Sequence, residues 1–440
     1  MWTRRTLLAA SAAAATGSAL GKLALDGGKP VRATPLRPRH FGPLYYGGLE
    51  WTHLKEVFDT RSPFRFWGMD ASKPPQKVAT FEREFAAFMQ TKYALAVTSG
   101  TAALQVAMAA LEIGPGDEVI VPAWTWHSCF NAVVMAGALP VCAEIDSSFN
   151  LDPKEIERHI TPRTKVIMAV HLQGNPAAMD EILAIAKRRN LKMLEDVSQA
   201  VGASYKGKPL GSMGDLAIAS LQVNKTISAG EGGAVYTSDP ALFERAVRFH
   251  DVGGIRNPHS EWMGGAKGEP FIGVNYRMNE FTGAVLLGQI RQLPKIAADI
   301  RGAARRVYEG IADLPGLELR GRPDPSGELG AGVYLGFKDK TQRDRFMAAM
   351  KAENVPASPP SGSVILPLQS HIIAKRAPHP KWPTWSSPEG QAAKYGPESC
   401  PKTLAVLDRF GGVLLDPKYT EADTADIVAA IRKVYQAVVA

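Results

Sequence analysis

Short apolar segments alternate with helical patterns between residues 93 and 249, and this alternation limits the possible folds more than any other feature of the chain. Each apolar segment has the length and composition of a strand buried on both faces of a sheet. The predicted strands are Tyr93–Val97, Glu118–Val121, Lys165–Val170, Leu191–Glu195 and Leu216–Leu221. The predicted helices are Ala102–Leu111, Ala178–Arg189 and Pro240–Phe249. Because strands that alternate with helices form parallel sheets, we predict an α/β fold with a mostly parallel sheet flanked by helices.

A second, smaller unit is predicted after this sheet. The chain has 440 residues, which is enough for two domains. A long helical pattern runs from near Asn279 towards Asp313 and includes Pro294, where we predict a kink. We therefore predict a large α/β domain over residues 26–290 and a smaller α+β domain over residues 291–440. In front of the sheet, Thr80 is predicted to cap an amphipathic helix.

The composition and charge argue against several classes of protein. Apolar residues make up 45% of the chain and charged residues 21%, which is typical of a globular protein and not of a disordered one. The formal net charge is +8, but the basic residues are scattered, which argues against nucleic-acid binding and allows an anionic substrate. The three cysteines, Cys129, Cys142 and Cys400, suggest neither a disulfide framework nor a zinc motif, and no metal site is predicted.

Residues 1–25 have the layout of a signal peptide. Arg4 and Arg5 precede an uncharged, alanine-rich stretch that lasts until Lys22 and is too short to span a membrane. A pair of arginines before such a stretch is typical of twin-arginine export, which carries folded proteins. We therefore expect a periplasmic protein. The alternatives are a leader without a targeting role or a misassigned start codon, and both would leave the protein in the cytoplasm.

Lys225 lies in a polar turn that follows the last predicted strand and closes in glycines. One interpretation of this lysine is a solvated loop charge, which is the usual fate of the residue. The other is a lysine whose amine forms a Schiff base with a carbonyl cofactor. The segment alone favours the first interpretation, and groups elsewhere in the chain bear on the choice.

Other strand ends carry groups that suit such a cofactor. Gly100 and Thr101 open a helix, where free N–H groups suit a phosphate, although such residues are also common helix caps. Trp126 follows the second strand and could stack on a planar ring or pack in the core. Asp196 follows the fourth strand, at the edge where open α/β sheets bind ligands, and could hold a pyridine nitrogen protonated or cap a helix. Ser220 precedes the lysine by five residues and could join the phosphate-binding groups.

The order of these groups resembles that of fold-type I pyridoxal-phosphate enzymes, and more specifically that of the DegT/DnrJ/EryC1/StrS family of sugar aminotransferases. The residues that carry the resemblance are Ser99–Leu104, Val119–Pro122, His171–Pro176, Met179–Asp180, Glu195–Asp196, Ser220–Gly233 and Asn275–Glu280. They extend over nearly all of the chain after the leader. The resemblance implies pyridoxal 5'-phosphate as the cofactor and a homodimer whose active sites lie at the subunit interface.

The resemblance also implies a role for individual residues. Lys225 would be the Schiff-base lysine, Asp196 would pair with the pyridinium nitrogen, and Gln199 would approach the phenolic oxygen of the cofactor. Trp126 would stack on the cofactor ring. The phosphate would be bound by Gly100, Thr101 and Ser220, joined by Asn275 from the neighbouring subunit. With Gln222, the sequence before Lys225 resembles that of a branch of the family that includes cyclitol and aminobenzoate-type enzymes. Enzymes of this branch often use glutamine as the amino donor.

We therefore predict an aminotransferase that moves an amino group from glutamate or glutamine to a keto-sugar or a cyclitol ketone. The family builds much of its acceptor pocket from the stretch that corresponds to residues 358–399, which does not identify the acceptor here. One alternative is a sugar dehydratase of the same family, but such enzymes have histidine where this chain has Lys225. Another is a non-catalytic pyridoxal-phosphate-binding or sensory protein of the envelope.

Overall fold

The computed structural model describes residues 21–37, 42–69 and 76–439. Residues 1–20, which carry the predicted twin-arginine pair and most of the stretch that follows it, lie outside the described residues. Within the described residues, no helix combines the length and the apolar character needed to cross a membrane.

The strands and helices of the described residues are numbered here in chain order. The strands are β1 (Tyr93–Val97), β2 (Glu118–Pro122), β3 (Trp124–Thr125), β4 (Leu139–Ala143), β5 (Thr164–Val170), β6 (Lys192–Asp196), β7 (Ser204–Tyr205), β8 (Lys208–Pro209), β9 (Leu216–Ser220), β10 (Gly233–Thr237), β11 (Glu318–Leu319), β12 (Gly332–Gly336), β13 (Val364–Ile365) and β14 (Phe410–Leu414). The helices are α1 (Gly48–Asp59), α2 (Lys77–Phe88), α3 (Gly100–Ala110), α4 (His127–Met135), α5 (Pro153–Ile156), α6 (Met179–Arg189), α7 (Pro240–His250), α8 (Asn257–Met263), α9 (Glu280–Ile311), α10 (Lys340–Ala352), α11 (Ser370–Ile373), α12 (Pro383–Ser386), α13 (Pro388–Ala392), α14 (Pro401–Arg409) and α15 (Glu421–Val439).

A seven-stranded sheet with the order β1-β10-β9-β6-β5-β2-β4 forms the centre of the molecule. Strands β9, β6, β5, β2 and β4 are parallel, whereas β10 is antiparallel to both of its neighbours. The parallel strands therefore end at one common edge, together with β1, which runs in the same direction as β9. The mostly parallel α/β sheet predicted from the sequence is confirmed.

The predicted elements of the sheet agree closely with the structure. The five predicted strands are β1, β2, β5, β6 and β9, with ends within one residue of the prediction. The three helices predicted with them are α3, α6 and α7. Strands β4 and β10 were not predicted, because β4 contains Pro140 and β10 begins at Gly233, and both residues are unusual inside strands. Pro140 is tolerated since β4 is an edge strand.

The prediction that Thr80 caps a helix is wrong. Helix α2 begins at Lys77, so Thr80 lies within its first turn. The N-terminus of this helix is instead met by the carboxylate of Glu280, which accepts hydrogen bonds from the N–H groups of Lys77 (2.6 Å) and Val78 (3.3 Å). A cap from a residue so distant in the chain leaves no local signal.

The described elements pack around three apolar cores. Alternate residues of the strands point to opposite faces, so that Ala96 and Ile120 join one core, whereas Val97 and Val121 join the other. A third core lies among β12, β14, α10 and α15 and also includes Leu23 and Leu36.

Helix α9 links the first core to the third. Asn279 caps it by accepting a hydrogen bond from the N–H of Thr282 (3.0 Å), and the helix continues through Pro294. Its first half supplies Leu286 to the first core, and its second half supplies Val307 to the third. The predicted domain boundary at residue 290 falls within this helix and stays a prediction.

Candidate active site

A cavity of about 460 Å³ lies at the edge where the parallel strands end. The carboxyl ends of such strands are the usual ligand site of open α/β sheets, because the loops that leave them converge there. Residues from the C-terminal part of the chain also line the cavity and are called its C-terminal wall, among them Leu329, Ser361 and Leu414. Seven of the eight predicted site residues line the cavity, namely Gly100, Thr101, Trp126, Asp196, Gln199, Ser220 and Lys225.

Lys225 is half-buried in the turn between β9 and β10. The turn is held by backbone hydrogen bonds from Leu221 to Gly232 (2.9 Å) and from Val223 to Gly230 (2.9 Å). The N–H of Lys225 itself donates to the carbonyl oxygen of Gln222 at 2.9 Å. These bonds hold the turn that brings Lys225 to the wall of the cavity. Its role as a Schiff-base lysine stays a prediction.

Asp196 ends β6 and is 3% exposed. One of its carboxylate oxygens accepts a hydrogen bond from the N–H of Ser198 at 2.9 Å. The other accepts one from the thiol of Cys129 at 3.2 Å. Burial raises the pKa of the Cys129 thiol well above its ordinary value, and the charge of Asp196 raises it further, whereas Lys225 opposes the rise. Cys129 is therefore a neutral donor that stabilises the carboxylate.

Glu195, which precedes Asp196, stabilises the end of β6. It is fully buried, and its Oε2 lies 3.1 Å from the Nε2 of His171, which is also fully buried. Burial acts to raise the pKa of Glu195, but hydrogen bonds from His171 and from the N–H groups of Gly211 and Gly214 outweigh it and lower the pKa. An ionised Glu195 thus ties the end of β6 to the loop before β9.

Gly100 and Ser220 form a cradle at the start of α3. A Cβ atom on Gly100 would lie 2.5 Å from the Cβ of Ser220, so that only glycine allows the helix to begin this close to β9. The first N–H groups of a helix have no partner within the helix and favour an anion. The Ser99 hydroxyl accepts from the N–H of Ala102 (3.0 Å) as the helix cap. The cradle therefore fits a phosphate group.

Thr101 and Trp126, which are also predicted site residues, line the cavity as well. The hydroxyl groups of Thr101 and Ser128 lie 2.7 Å apart and form one hydrogen bond. Trp126 precedes α4, lines the cavity and has 52% of its surface exposed. An aromatic face that is open to a cavity fits a planar ring, which is the expected role of this residue.

Gln199 connects two parts of the chain. Its Oε1 accepts a hydrogen bond from the N–H of Gln173 at 3.0 Å, and its Nε2 donates to the carbonyl oxygen of Gly362 at 3.1 Å. It therefore joins the loop after β5 to the C-terminal wall of the cavity. The expected approach to a phenolic oxygen stays a prediction.

Asn275 is the one predicted site residue that does not line the cavity. It is exposed, and its side-chain oxygen accepts a hydrogen bond from the N–H of Arg277 at 3.3 Å. The prediction places this residue in the site of a neighbouring subunit, and it stays a prediction.

The fold also brings to the cavity several residues for which the sequence predicts no role. Cys129 is only one of three cysteines without a motif, and Gln173 is only part of the stretch His171–Pro176. Ser361 and Gly362 lie in the stretch 358–399, where the resemblance places much of the acceptor pocket without assigning a role to either residue. None of these positions has a spacing or residue type that by itself points to a site. Among the described residues, no group of histidine, cysteine, aspartate and glutamate side chains is arranged to hold a metal ion.

Comparisons with known proteins identify the family of the chain. The model of the DegT/DnrJ/EryC1/StrS aminotransferase family matches residues 71–363. A GDP-perosamine synthase of Caulobacter vibrioides is 43% identical over 217 residues, which are 49% of this chain and 57% of that protein. An L-glutamine:2-deoxy-scyllo-inosose aminotransferase of Micromonospora echinospora is 37% identical over 302 residues, which are 66% of this chain and 69% of that protein.

The solved structures include a similar fold over most of the chain. The crystal structure of 3-amino-5-hydroxybenzoic acid synthase has a TM-score of 0.74 and 26% sequence identity, and the match covers 92% of this chain and 100% of that one. The parallel sheet with its cavity at the strand ends is the architecture of a fold-type I transferase. The chain belongs to the DegT/DnrJ/EryC1/StrS aminotransferase family.

Proposed function

We propose that this protein is a pyridoxal 5'-phosphate-dependent aminotransferase that moves an amino group from glutamate or glutamine to a keto-sugar or a cyclitol ketone. The observation that carries the proposal is the convergence of Lys225, Asp196 and the Gly100–Ser220 cradle on one cavity. The named relatives, a GDP-perosamine synthase and a deoxyinosose aminotransferase, support the class of acceptor.

The residues present fit the cofactor. The helix N-terminus at Gly100, with the hydroxyl groups of Thr101 and Ser220, would hold the phosphate. Asp196 would hold a proton on the ring nitrogen, and Trp126 would cover a ring face. When bound, pyridoxal 5'-phosphate supplies an aldehyde carbon for the amino group and a ring that withdraws electrons.

Lys225 is the residue proposed to anchor the cofactor and to transfer protons. Its Nζ would anchor the cofactor and then, once displaced by the amino donor, accept the proton from the donor α-carbon. The same amine would return a proton on the acceptor side. Asp196 is held in place for its part by two donors, the thiol of Cys129 and the N–H of Ser198.

The absorption spectrum of the purified protein tests this function. We expect a visible band from the lysine-bound cofactor, which bleaches when L-glutamate or L-glutamine is added. A panel of nucleotide-activated keto-sugars and cyclitol ketones should then restore the band with one class of acceptor. A colourless protein that pyridoxal 5'-phosphate does not reconstitute would contradict the proposal and favour a non-catalytic role.

We further propose a homodimer that completes each site with Asn275 from the other subunit. The support is the exposure of large apolar side chains, with Trp67 57% exposed and Ile272, which lies three residues before Asn275, 94% exposed. Mixing inactive Lys225→Ala and Asn275→Asp subunits tests it, because each mixed dimer would contain one intact site. Random exchange should restore about a quarter of the wild-type activity. Mixtures that stay inactive although the subunits exchange would contradict a shared site.

Export through the twin-arginine route is proposed on the sequence of residues 1–25 alone. A fusion of these residues to a reporter that is active only in the periplasm should give signal. The variant with Arg4→Lys and Arg5→Lys is the matched control and should lose it. A reporter that stays in the cytoplasm with the natural leader would contradict export.

A further inference from the structure

Gln173 is buried in the wall of the cavity with one half of its amide unpartnered. The residue lines the cavity and is 6% exposed. Its Nε2 donates a hydrogen bond to the carbonyl oxygen of Ser361 at 2.5 Å. Its Oε1 accepts no hydrogen bond from any described residue. A buried carbonyl oxygen without a donor is unfavourable and calls for a partner that the protein itself does not provide.

The orientation of this amide follows from its neighbour. The carbonyl oxygen of Ser361 can only accept a hydrogen bond, so the NH₂ group of Gln173 has to face it. The Oε1 is then the group left over. Rotation of the amide by half a turn would place the Oε1 of Gln173 against the carbonyl oxygen of Ser361, and both are acceptors. The Oε1 therefore needs a donor that is not part of the protein.

The backbone of Gln173 is also in an unusual conformation. Its φ of 54° and ψ of 38° are in the left-handed region, which a residue with a side chain seldom adopts, and Gly174 follows with a φ of 75°. The conformation is held by the hydrogen bond from the N–H of Gln173 to Gln199. Strained residues of this kind are retained mainly where a site requires the placement of their side chain.

The surroundings of Gln173 indicate which ligand would donate to it. The side-chain amide of Gln173 donates a hydrogen bond to the carbonyl oxygen of Ser361. Ser361 and Gly362 both belong to the C-terminal wall of the cavity. A neutral amide oxygen suits a hydroxyl donor, and the acceptor class proposed above is rich in hydroxyl groups. The carboxylate groups of the amino donor, by contrast, cannot donate to this oxygen, and its ammonium group has to reach the cofactor.

We propose that Gln173 is a specificity-determining residue that accepts a hydrogen bond from a hydroxyl group of the ketone acceptor. The inference rests on the aminotransferase function proposed above. It explains the buried unpartnered oxygen and the left-handed backbone as features of one binding contact.

Gln173→Met tests the contact, because methionine keeps the length of the side chain and removes both polar groups. Gln369→Met is the matched control, since Gln369 also donates through Nε2 to a backbone carbonyl, that of Ile365 at 3.1 Å, but does not line the cavity. Both variants are compared with the wild type as cofactor-loaded proteins. The measurements are the KM for the best acceptor of the panel, the KM for the amino donor, and the Tm.

We expect Gln173→Met to raise the acceptor KM about tenfold and to change the donor KM much less, whereas Gln369→Met changes neither. We also expect a smaller loss of Tm from Gln173→Met than from Gln369→Met, because it removes an unsatisfied oxygen together with one hydrogen bond. An unchanged acceptor KM, or an equal change for donor and acceptor, would overturn the role of Gln173. A wild-type protein that neither amino donor bleaches would instead refute the proposed function, and the inference with it.

Discussion

The thiol of Cys129 donates a hydrogen bond to the carboxylate of Asp196 across 3.2 Å, between the start of α4 and the end of β6. Cys129 is buried and also lies 3.4 Å from the hydroxyl of Thr125. Because burial keeps the thiol neutral, the contact is a donor–acceptor pair and not a repulsion between two anions. It fixes one oxygen of the residue proposed to face the cofactor nitrogen.

Cys129→Ala should weaken cofactor binding. The substitution removes a donor to Asp196, and a hydrogen bond to a charged group is worth enough to change the affinity by about fivefold or more. Cys129→Ser keeps a donor and should retain most of the affinity. Spectroscopic titration of the three proteins with pyridoxal 5'-phosphate measures this, and equal affinities of the alanine and serine variants would contradict the assigned contact.

Lys225→Ala should abolish turnover while the fold is kept. The half-buried lysine is the proposed anchor and proton carrier, and no other lysine lines the cavity among the described residues. Lys206→Ala is the control, since Lys206 is 62% exposed and pairs with Asp180. Circular dichroism checks the fold and transamination assays check the activity. Normal turnover by Lys225→Ala would refute the assignment.

Gly100→Ala should damage the phosphate cradle. The added Cβ would lie 2.5 Å from the Cβ of Ser220, so that α3 or β9 has to move. We expect a loss of about 1–3 kcal/mol in the free energy of unfolding and weaker binding of the cofactor. Gly114→Ala is the control because nothing lies within 4 Å of its added Cβ. Equal stability and cofactor affinity of the two variants would contradict the cradle.

Glu280 should make the stability of the protein depend on pH. Burial raises its pKa from 4.5 to about 7, although the N–H groups of Lys77 and Val78 and the charge of Arg65 act against the rise. The folded state then binds the proton more tightly than the unfolded state. Its contribution to the free energy of unfolding is therefore largest below the unfolded pKa and falls as the pH rises towards about 7.

Glu280→Gln isolates this contribution, because glutamine has no proton to lose. Between about pH 5 and about pH 8, the free energy of unfolding of the variant relative to the wild type should increase by about 2–3 kcal/mol. Urea unfolding of both proteins at the two pH values measures the difference, in which the titration of all other groups cancels. A difference that is the same at both pH values would rule out a raised pKa.

Most of the sheet could be predicted from local patterns, whereas the roles of the candidate site residues came from the resemblance to the family. Five strands are short apolar segments, and such a composition indicates a buried strand: β1, β2, β5, β6 and β9. In a parallel sheet the carboxyl ends of the strands lie at one edge. Gly100 lies shortly after β1, Asp196 ends β6 and Lys225 lies in the turn after β9, and all three line one cavity. Strand β10 was not predicted because it begins at Gly233, and glycine is unusual inside strands.

Contacts between distant parts of the chain were decided only by the tertiary structure. Glu280 caps α2 from about two hundred residues away, and the amide of Gln173 is held by Ser361 across a similar separation. Hydrogen bonds of this kind involve single residues with no periodic pattern, so that nothing in the sequence marks them before the chain is folded. By itself the sequence determined most of the sheet and the order of the chemical groups, because these depend on local composition and spacing, and the resemblance of its motifs indicated the family. The partners of Asp196 and Gln173 depend on where separate segments pack, which only the complete fold specifies.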